Sequence, residues 1–188
     1  EPDYKAMRMT WKENQKKISD AGFASWVVLP WCFHSITTAM GLENFSYKLY
    51  DDYGFIEQAF EWVEERNRKI IDEVVADAKP DIVLFDGDCA YKTGLMIHPD
   101  LFKKLVFDRT AETVGRLGKL GVPYALHTDG KLDEVIPMLV ELGFSAVHGC
   151  EKNANDLDHL VDKFGGDIVL VGNMDVVFLY NSNSARVS

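Results

Sequence analysis

Four short apolar runs, each ending in a polar or small cluster, constrain the fold of this chain more than any other feature. Every run is rich in Val, Ile, Leu, Phe or Tyr. Such runs are typical of strands that are buried on both faces, as in parallel sheets. They are PDIVLFDGD (80–88), VPYALHTDG (122–130), FSAVHGCE (144–151) and GDIVLVGNMD (166–175), and ASWVVLPW (24–31) is a fifth candidate that precedes them. These segments predict a parallel sheet.

The segments between the strands have the apolar spacing of amphipathic helices. Residues 56–78 carry apolar side chains at helical spacing, with Glu, Arg and Lys on the opposite side. The same pattern covers 100–119, 132–142 and 156–164, and a glycine follows each of these three. Alternating strands and helices predict an α/β fold with right-handed crossovers. Because no GxGxxG or GxxxxGK[ST] loop follows any strand, a (β/α)8 TIM-barrel type is favoured over a nucleotide-binding doubly wound sheet.

Charge and cysteine content narrow the classes of function. The 188 residues carry a formal net charge of -10, whereas nucleic-acid binding needs a basic patch, so nucleic acid is not an expected partner. No apolar run approaches the ~18 residues that span a bilayer, and the first residues have no signal-peptide pattern. The three cysteines are far apart and form no CxxC pair. We therefore expect a cytoplasmic protein with free thiols that does not enter the membrane.

Chemically active side chains stand at the ends of all four apolar runs. In a (β/α)8 barrel, chemistry takes place at the C-terminal ends of the strands. The residues at these ends are Asp86 and Asp88, His127 and Asp129, His148, Cys150 and Glu151, and Asn173 and Asp175, and His34 closely follows the fifth candidate strand. A polar residue at the end of one strand is common, but polar residues at the ends of all four predict a functional site.

Each of these residues also has a structural interpretation. Asp86 and Asp129 both precede glycine, and Asp-Gly is a turn dipeptide. Cys150 is equally typical of a small buried thiol, and His148 is expected to point into the helix layer in a structural role. His127 differs, because strand alternation places it on the same side as Asp129. If that side is the barrel interior, both side chains point into the pocket.

Two long segments resemble the uroporphyrinogen decarboxylase superfamily, and more closely its corrinoid methyltransferase-like branch. They are DIVLFDGDCAYKTGLMIHPDLFKKLVFDR (81–109) and GVPYALHTDGKLDEVIPMLVELGFSAVHGCEKNANDLDHLVDKFGGDIVLVGNMDV (121–176), and GLENFSYKLYDD (41–52) is similar to the segment before the long helix of that branch. HTDG, a glycine-ended helix and GNMD together are specific for the superfamily but not for one activity. The resemblance implies a (β/α)8 barrel with a deep pocket. Residues 1–188 are expected to be a single domain, the central and C-terminal part of a truncated or partial barrel.

The resemblance also implies a metal site. Corrinoid-linked methyltransferases bind zinc through a His-x-Cys pair and a distal Cys, and the zinc activates a thiolate acceptor or polarises the methyl donor. In this chain Asp129 stands where that branch has Cys, and the distal Cys would fall near or beyond Ser188. Zinc also accepts carboxylate oxygen. His127, Asp129 and Cys150 are therefore the expected zinc ligands, with Glu151 as the alternative third ligand.

The favoured hypothesis is a methyltransferase that acts on a small methylated substrate and passes the methyl group to a corrinoid protein or a thiol. The expected catalytic residues are His127, Asp129, Asp86 and Asp88. The expected substrate-binding residues are Glu151, Asn173, Asp175 and His34. The corrinoid cofactor would come with a partner protein. An open sheet edge in a partial barrel would also favour a homodimer.

Two further hypotheses stay open. A cofactor-free decarboxylase would use Asp86 or Asp88 as proton donor or cation stabiliser, with His127 as general acid and base. The Arg-rich segment that such decarboxylases use for their acidic substrate is absent, and only Lys92, Lys131 and Lys152 lie near the strand ends. The third hypothesis is an inactive fragment or binding module. The last residues, LYNSNSARVS (179–188), are expected to form a loop.

Overall fold

The computed structural model describes residues 2–181 and contains a main sheet of parallel strands. The predicted apolar runs form its core. The strands are β1 (Trp26–Pro30), β2 (Ile82–Asp86), β3 (Ala90–Tyr91), β4 (Gly94–Leu95), β5 (Tyr124–His127), β6 (Ala146–Gly149) and β7 (Val169–Gly172). All five predicted strand segments are therefore confirmed, and the short pair β3 and β4 adds an antiparallel hairpin that the sequence did not indicate.

Helices precede, connect and follow the strands of the main sheet. They are α1 (Tyr4–Asp20), α2 (Cys32–Met40), α3 (Leu42–Asp51), α4 (Tyr53–Ile70), α5 (Ala76–Ala78), α6 (Pro99–Phe102), α7 (Asp108–Leu120), α8 (Val135–Glu141), α9 (Leu157–Phe164) and α10 (Val176–Asn181). A π-helical turn, Ile71–Val75, joins α4 to α5, and a second, Lys103–Phe107, joins α6 to α7. The predicted helices over 56–78 and 100–119 are thus each nearly continuous, with one wider turn inside.

The order of strands in the main sheet is β1-β2-β5-β6-β7, and every neighbouring pair is parallel. Each crossover returns the chain to the next position of the sheet, so strand order follows chain order. A barrel is built in this way, whereas a doubly wound sheet reverses direction at a switch point. The structure therefore confirms the α/β, TIM-barrel-type fold, seen here as an open partial barrel over the described residues.

The two faces of the sheet have different surroundings. Val27, Leu29, Val83 and Phe85 point to one face and are buried against the helices. On the other face, alternate residues such as Trp26 are open to solvent, with 61% of its surface exposed. In a (β/α)8 barrel the helices form the outer layer, so the open face corresponds to the barrel interior.

The C-terminal region departs from one expectation. Residues 179–181 were expected to begin a loop, but they complete α10, because Asp175 accepts a hydrogen bond from the backbone N–H of Val177 at 2.8 Å and so caps the helix. Residues 182–188, which hold the rest of that expected loop, lie outside the described residues. None of the helices described over residues 2–181 is both long and apolar enough to cross a bilayer.

Candidate functional site

The C-terminal ends of the parallel strands bring three polar residues into one row. Asp86 is in register with His127, and His127 is in register with His148. These positions share the open face of the sheet, because residues in register on parallel strands point the same way. The barrel interior therefore ends in a row of one carboxylate and two imidazoles.

The loop after β5 places Asp129 beside carboxylates from two other loops. The backbone N–H of Asp129 donates to Asp88 Oδ1 at 2.9 Å, and the backbone N–H of Gly130 donates to Glu151 Oε2 at 2.9 Å. Gly130 has φ +90, and a Cβ there would collide with the carbonyl of Ala90. A glycine is required at this point, since it alone tolerates both the left-handed backbone and the close approach.

Asn155 fixes the other end of the same loop. Its Nδ2 donates to the carbonyl of Gly130 at 2.8 Å, and its Oδ1 accepts from the backbone N–H of Leu132 at 2.9 Å. The side chain is buried, so these bonds are shielded from water. Asn155 thereby holds the loop that carries Asp129.

Asp88, His127 and Asp129 form a group with the spacing of metal ligands. One ligand atom from each lies within 4.8 Å of the ligand atoms of the other two. Two ligands at about 2.1 Å from a zinc ion can be at most about 4.2 Å apart, so a small closure of the group would suffice. Nitrogen and carboxylate oxygen are both accepted zinc ligands, and three protein ligands leave one position open. The residues therefore fit a divalent metal ion.

Cys150, one of the expected metal ligands, does not belong to this group. Cys150 was expected as the third ligand, but its thiol is 1% exposed and lies outside the group just described, over residues 2–181. Burial raises the pKa of this thiol, which opposes the thiolate form that a metal binds. Asp88, which was expected as a catalytic residue, lies in the group with His127 and Asp129.

His127 and His148 contact each other directly. Their Nδ1 atoms are 2.7 Å apart, and the ring centroids are 4.9 Å apart with an interplanar angle of 44°. This distance is that of a hydrogen bond, so one Nδ1 carries a proton and the other accepts it. The expectation that His148 points into the helix layer is wrong. In β6 the side chain that faces the helices is Val147, and alternation turns His148 to the open face.

The pKa of Asp129 is raised above its ordinary value. Burial is the largest cause, and the carboxylates of Asp88 and Glu151 add to it, while His127 and His148 act in the opposite direction. Three carboxylates in one place repel each other when ionised, and a proton or a cation relieves that repulsion. The site is therefore suited to hold a positive charge.

A cavity of about 350 Å³ opens over this group. His127, Asp129, His148 and Glu151 line it from β5, β6 and the loops that follow them. Lys152, Asn153, Met174 and Asp175 complete the wall, with two glycines at the strand ends. This volume is within the range of small-molecule sites.

Some of the remaining predicted residues line the cavity, and others lie next to it. Asp175 lines it, whereas Asn173 lines a neighbouring surface depression with Lys152. His34 Nδ1 accepts from the backbone N–H of Asp88 at 3.2 Å, so it supports the Asp88 loop. Asp86 lies beside His127 on the sheet and is exposed, but it is not part of the cavity wall formed by the described residues.

Sequence reasoning listed His148 among the strand-end residues but expected a structural role for it, and it missed Asn155. Strand alternation could have predicted the orientation of His148. Val147 is apolar and faces the helices, so the next side chain, that of His148, faces the open side of the sheet. Asn155 had no such signal, since its partners are backbone groups of Gly130 and Leu132, far away in sequence. His148 contacts His127, and Asn155 holds the loop that carries Asp129. The sequence had already indicated His127 and Asp129.

Comparisons with known proteins agree with this architecture. The family model described as uroporphyrinogen decarboxylase (URO-D) matches residues 3–187. A solved structure, a methyltransferase from Methanosarcina mazei, matches with a TM-score of 0.64 at 16% sequence identity, covering 79% of this chain and 42% of that chain. At this identity the likeness shows the fold alone, and the chain spans less than half the length of that protein. No curated protein matches the sequence.

Proposed function

The chain belongs to the uroporphyrinogen decarboxylase family, and we propose that it is a methyltransferase-type member that acts on a small methylated substrate. The methyl group would pass to a corrinoid protein or to a thiol. The observation that carries the proposal is the group Asp88, His127 and Asp129, whose ligand atoms lie within 4.8 Å of one another at the strand ends. His127 and Asp129 occupy the positions of the His-x-Cys pair in the zinc-dependent methyltransferases that this chain resembles.

In this proposal Asp88, His127 and Asp129 hold a zinc ion. The bound ion would supply Lewis acidity, either to lower the pKa of a thiol acceptor or to polarise the methyl donor. The two carboxylates offset the charge of the ion, and Glu151 keeps the loop in place through the N–H of Gly130. The chain's own residues thus shape and hold the site, while the chemistry at the methyl group takes place in the cavity beside it.

The charge of the cavity wall indicates the class of methyl donor. Asp129, Glu151 and Asp175 line the cavity, and Lys152 is the only ammonium group among the described lining residues. A substrate with several carboxylates would be repelled by such a wall. The site therefore favours a small neutral or cationic methylated compound over a polycarboxylate such as a porphyrinogen.

A metal-free lyase is the second candidate, because one observation favours it. The pKa of Asp129 is raised by burial and by its neighbours Asp88 and Glu151, and a carboxyl group that keeps its proton can serve as a general acid. His127 would then move the proton as acid and base. This function requires no zinc, so a metal measurement separates it from the first.

Metal content and metal affinity test the proposal. Purified protein loaded with zinc is expected to retain about one ion per chain by elemental analysis, and calorimetry with Zn²⁺ should show a single site. His127→Ala should lose that site, while His159→Ala, which removes an exposed histidine paired with Asp133, should keep it. Wild-type protein that binds no zinc, or an unchanged affinity in His127→Ala, would contradict the zinc-dependent function.

A transfer assay tests the reaction itself. A quaternary methylammonium compound and cob(I)alamin would be mixed with the zinc-loaded chain, and the visible spectrum would report transfer of the methyl group as loss of cob(I)alamin and formation of methylcob(III)alamin. The expected result is a rate that depends on the protein and falls at least tenfold in His127→Ala. A rate equal in both proteins would contradict the proposal, even if zinc is bound.

A further inference from the structure

We propose that His148 is a positioning residue that fixes the ring tautomer of His127 and so decides which nitrogen of His127 is presented to a metal. The direction of proton donation rests on the proposed function, because a metal would require the lone pair of Nε2, whereas the contact between the two Nδ1 atoms does not. His148 touches neither Asp88 nor Asp129 in any hydrogen bond described over residues 2–181, so it acts on the site through His127.

The contact between the two rings is built into the sheet. His127 ends β5, His148 lies in β6, and the two positions are in register. Backbone pairing therefore sets the separation of the two Cα atoms, and both side chains must rise from the same face. The backbone N–H of Thr128 also donates to the carbonyl of His148 at 3.1 Å, so the pairing continues one residue beyond the strand. A contact anchored in this way does not depend on a flexible loop.

The chemistry of imidazole determines what the contact does. A neutral imidazole carries a proton on one nitrogen and a lone pair on the other. With the Nδ1 atoms 2.7 Å apart, Nδ1 of His127 is occupied, and Nε2 is the nitrogen left for a ligand. A metal requires a lone pair there, so His127 must carry its proton on Nδ1 and donate it to Nδ1 of His148.

This arrangement is a variant of a common feature of metal sites. A metal-bound histidine usually donates its second ring N–H to a carboxylate, a backbone carbonyl or water, and loss of that acceptor costs about 10–100-fold in metal affinity. Here the acceptor is a second imidazole. Since His148 is exposed and lines the cavity, substitution at this position should leave the core unchanged.

Two substitutions separate positioning from ligation. In His148→Asn, the amide oxygen stands close to the place of Nδ1 and can still accept the proton of His127, whereas His148→Leu removes the acceptor. Neither variant offers an imidazole ligand. If His148 only positions His127, the His148→Asn variant should keep the zinc affinity that the His148→Leu variant loses. If His148 itself binds the metal, both variants should lose affinity equally.

The experiment uses two measurements on the full chain. Nitrogen-15 NMR of the histidine rings in metal-free protein should show Nδ1 of His127 hydrogen-bonded to His148 in wild type, the proton of His127 on Nδ1 in His148→Asn, and a mixture of His127 tautomers in His148→Leu. Calorimetry with Zn²⁺ should show affinity about 10–100-fold lower in His148→Leu and close to wild type in His148→Asn. Urea midpoints would establish that both variants are folded.

Three results would overturn the inference. The first is an unchanged His127 tautomer in His148→Leu, and the second is an unchanged zinc affinity in that variant. The third is equal loss in the Asn and Leu variants, which would make His148 a ligand. If wild-type protein binds no zinc at all, the proposed function fails, but the NMR measurement still decides the role of His148.

Discussion

Two clusters of polar side chains in this protein use carboxylates in opposite ways. The rim cluster consists of Asp88, His127, Asp129, His148 and Glu151, at the C-terminal ends of the strands. The buried cluster consists of Trp31, Glu64, Asn67, Thr110 and Thr113, between the sheet and the helices. Both contain a carboxyl group whose pKa is raised, Asp129 in one and Glu64 in the other.

The buried cluster brings a hydroxyl donor to one oxygen of its carboxyl group. The hydroxyl of Thr113 donates to Glu64, and burial raises the pKa of Glu64 while Thr113, the thiol of Cys32 and Arg68 lower it. Neighbouring bonds complete the cluster, since Asn67 Nδ2 donates to the carbonyl of Pro30 at 2.9 Å. These bonds contribute to stability and to a unique packing, although Glu64 Oε1 and Asn67 Oδ1 are buried without a hydrogen-bond partner among the described residues.

The rim cluster instead sets carboxylates against each other. Asp88 and Glu151 accept hydrogen bonds from backbone N–H groups of the loop after β5. Both carboxylates also raise the pKa of Asp129, so they disfavour its anionic form. A fold selected for stability alone would not gather these charges. The difference teaches that a raised pKa by itself does not distinguish a candidate functional site from a buried structural carboxyl group, whereas a raised pKa beside a cavity supports a candidate site.

The largest expected effect is loss of the buried carboxylate. Glu64→Ala should lower the free energy of unfolding by about 3 kcal/mol, because the hydroxyl of Thr113 loses its buried acceptor and a cavity remains. Urea denaturation followed by circular dichroism measures the change. Glu65→Ala is the matched control, since Glu65 is exposed one position along the same helix and should change stability little. An equal loss of stability in Glu64→Ala and Glu65→Ala would contradict the structural role of Glu64.

An intermediate effect concerns pH. The pKa of Glu64 is raised in the folded state, so folding favours the protonated form. The stabilising contribution is complete below the unfolded pKa, about 4.5, and it is lost as pH rises through the folded pKa. Glu64→Gln cannot titrate, so wild type should lose stability relative to this variant as pH increases. Unfolding at a series of pH values measures the difference.

The control for this pH series is Glu65→Gln, whose stability relative to wild type should not follow the same trend. A difference between wild type and Glu64→Gln that stays constant with pH would show that Glu64 does not hold its proton more firmly in the fold.

The smallest expected effect is at the rim. Asp129→Asn in metal-free protein should leave the free energy of unfolding unchanged or raise it by up to about 0.5 kcal/mol, because repulsion from Asp88 and Glu151 is removed at a partly solvated position. Thermal and urea unfolding provide the measurement. The matched control is Asp133→Asn, which removes ion pairs to Lys131 and His159 and should lower stability slightly.

A clear loss of stability in Asp129→Asn would mean that the carboxylate at the rim is structural, as in the buried cluster. The contrast between the two clusters would then fail at its central point.

Much of the fold could be predicted because its signals are local. The strands around Val83 and Leu126 are short apolar runs, and Gly121 ends its helix in the left-handed conformation, with φ +67. The site could be predicted in part for the same reason, since His127 and Asp129 directly follow a strand. Asn155 could not be predicted, because its role consists of bonds to backbone groups that lie 25 and 23 residues away.

The sequence by itself determined the alternation of strands and helices, the family and the row of strand ends that carries chemistry. Apolar periodicity and turn residues act over a few neighbouring positions, so they are visible in the amino-acid sequence. Only the tertiary structure decided that Asp88 rather than Cys150 joins His127 and Asp129, and that His148 meets His127. These choices depend on strand register and loop path, which are fixed when the strands pair across the sheet.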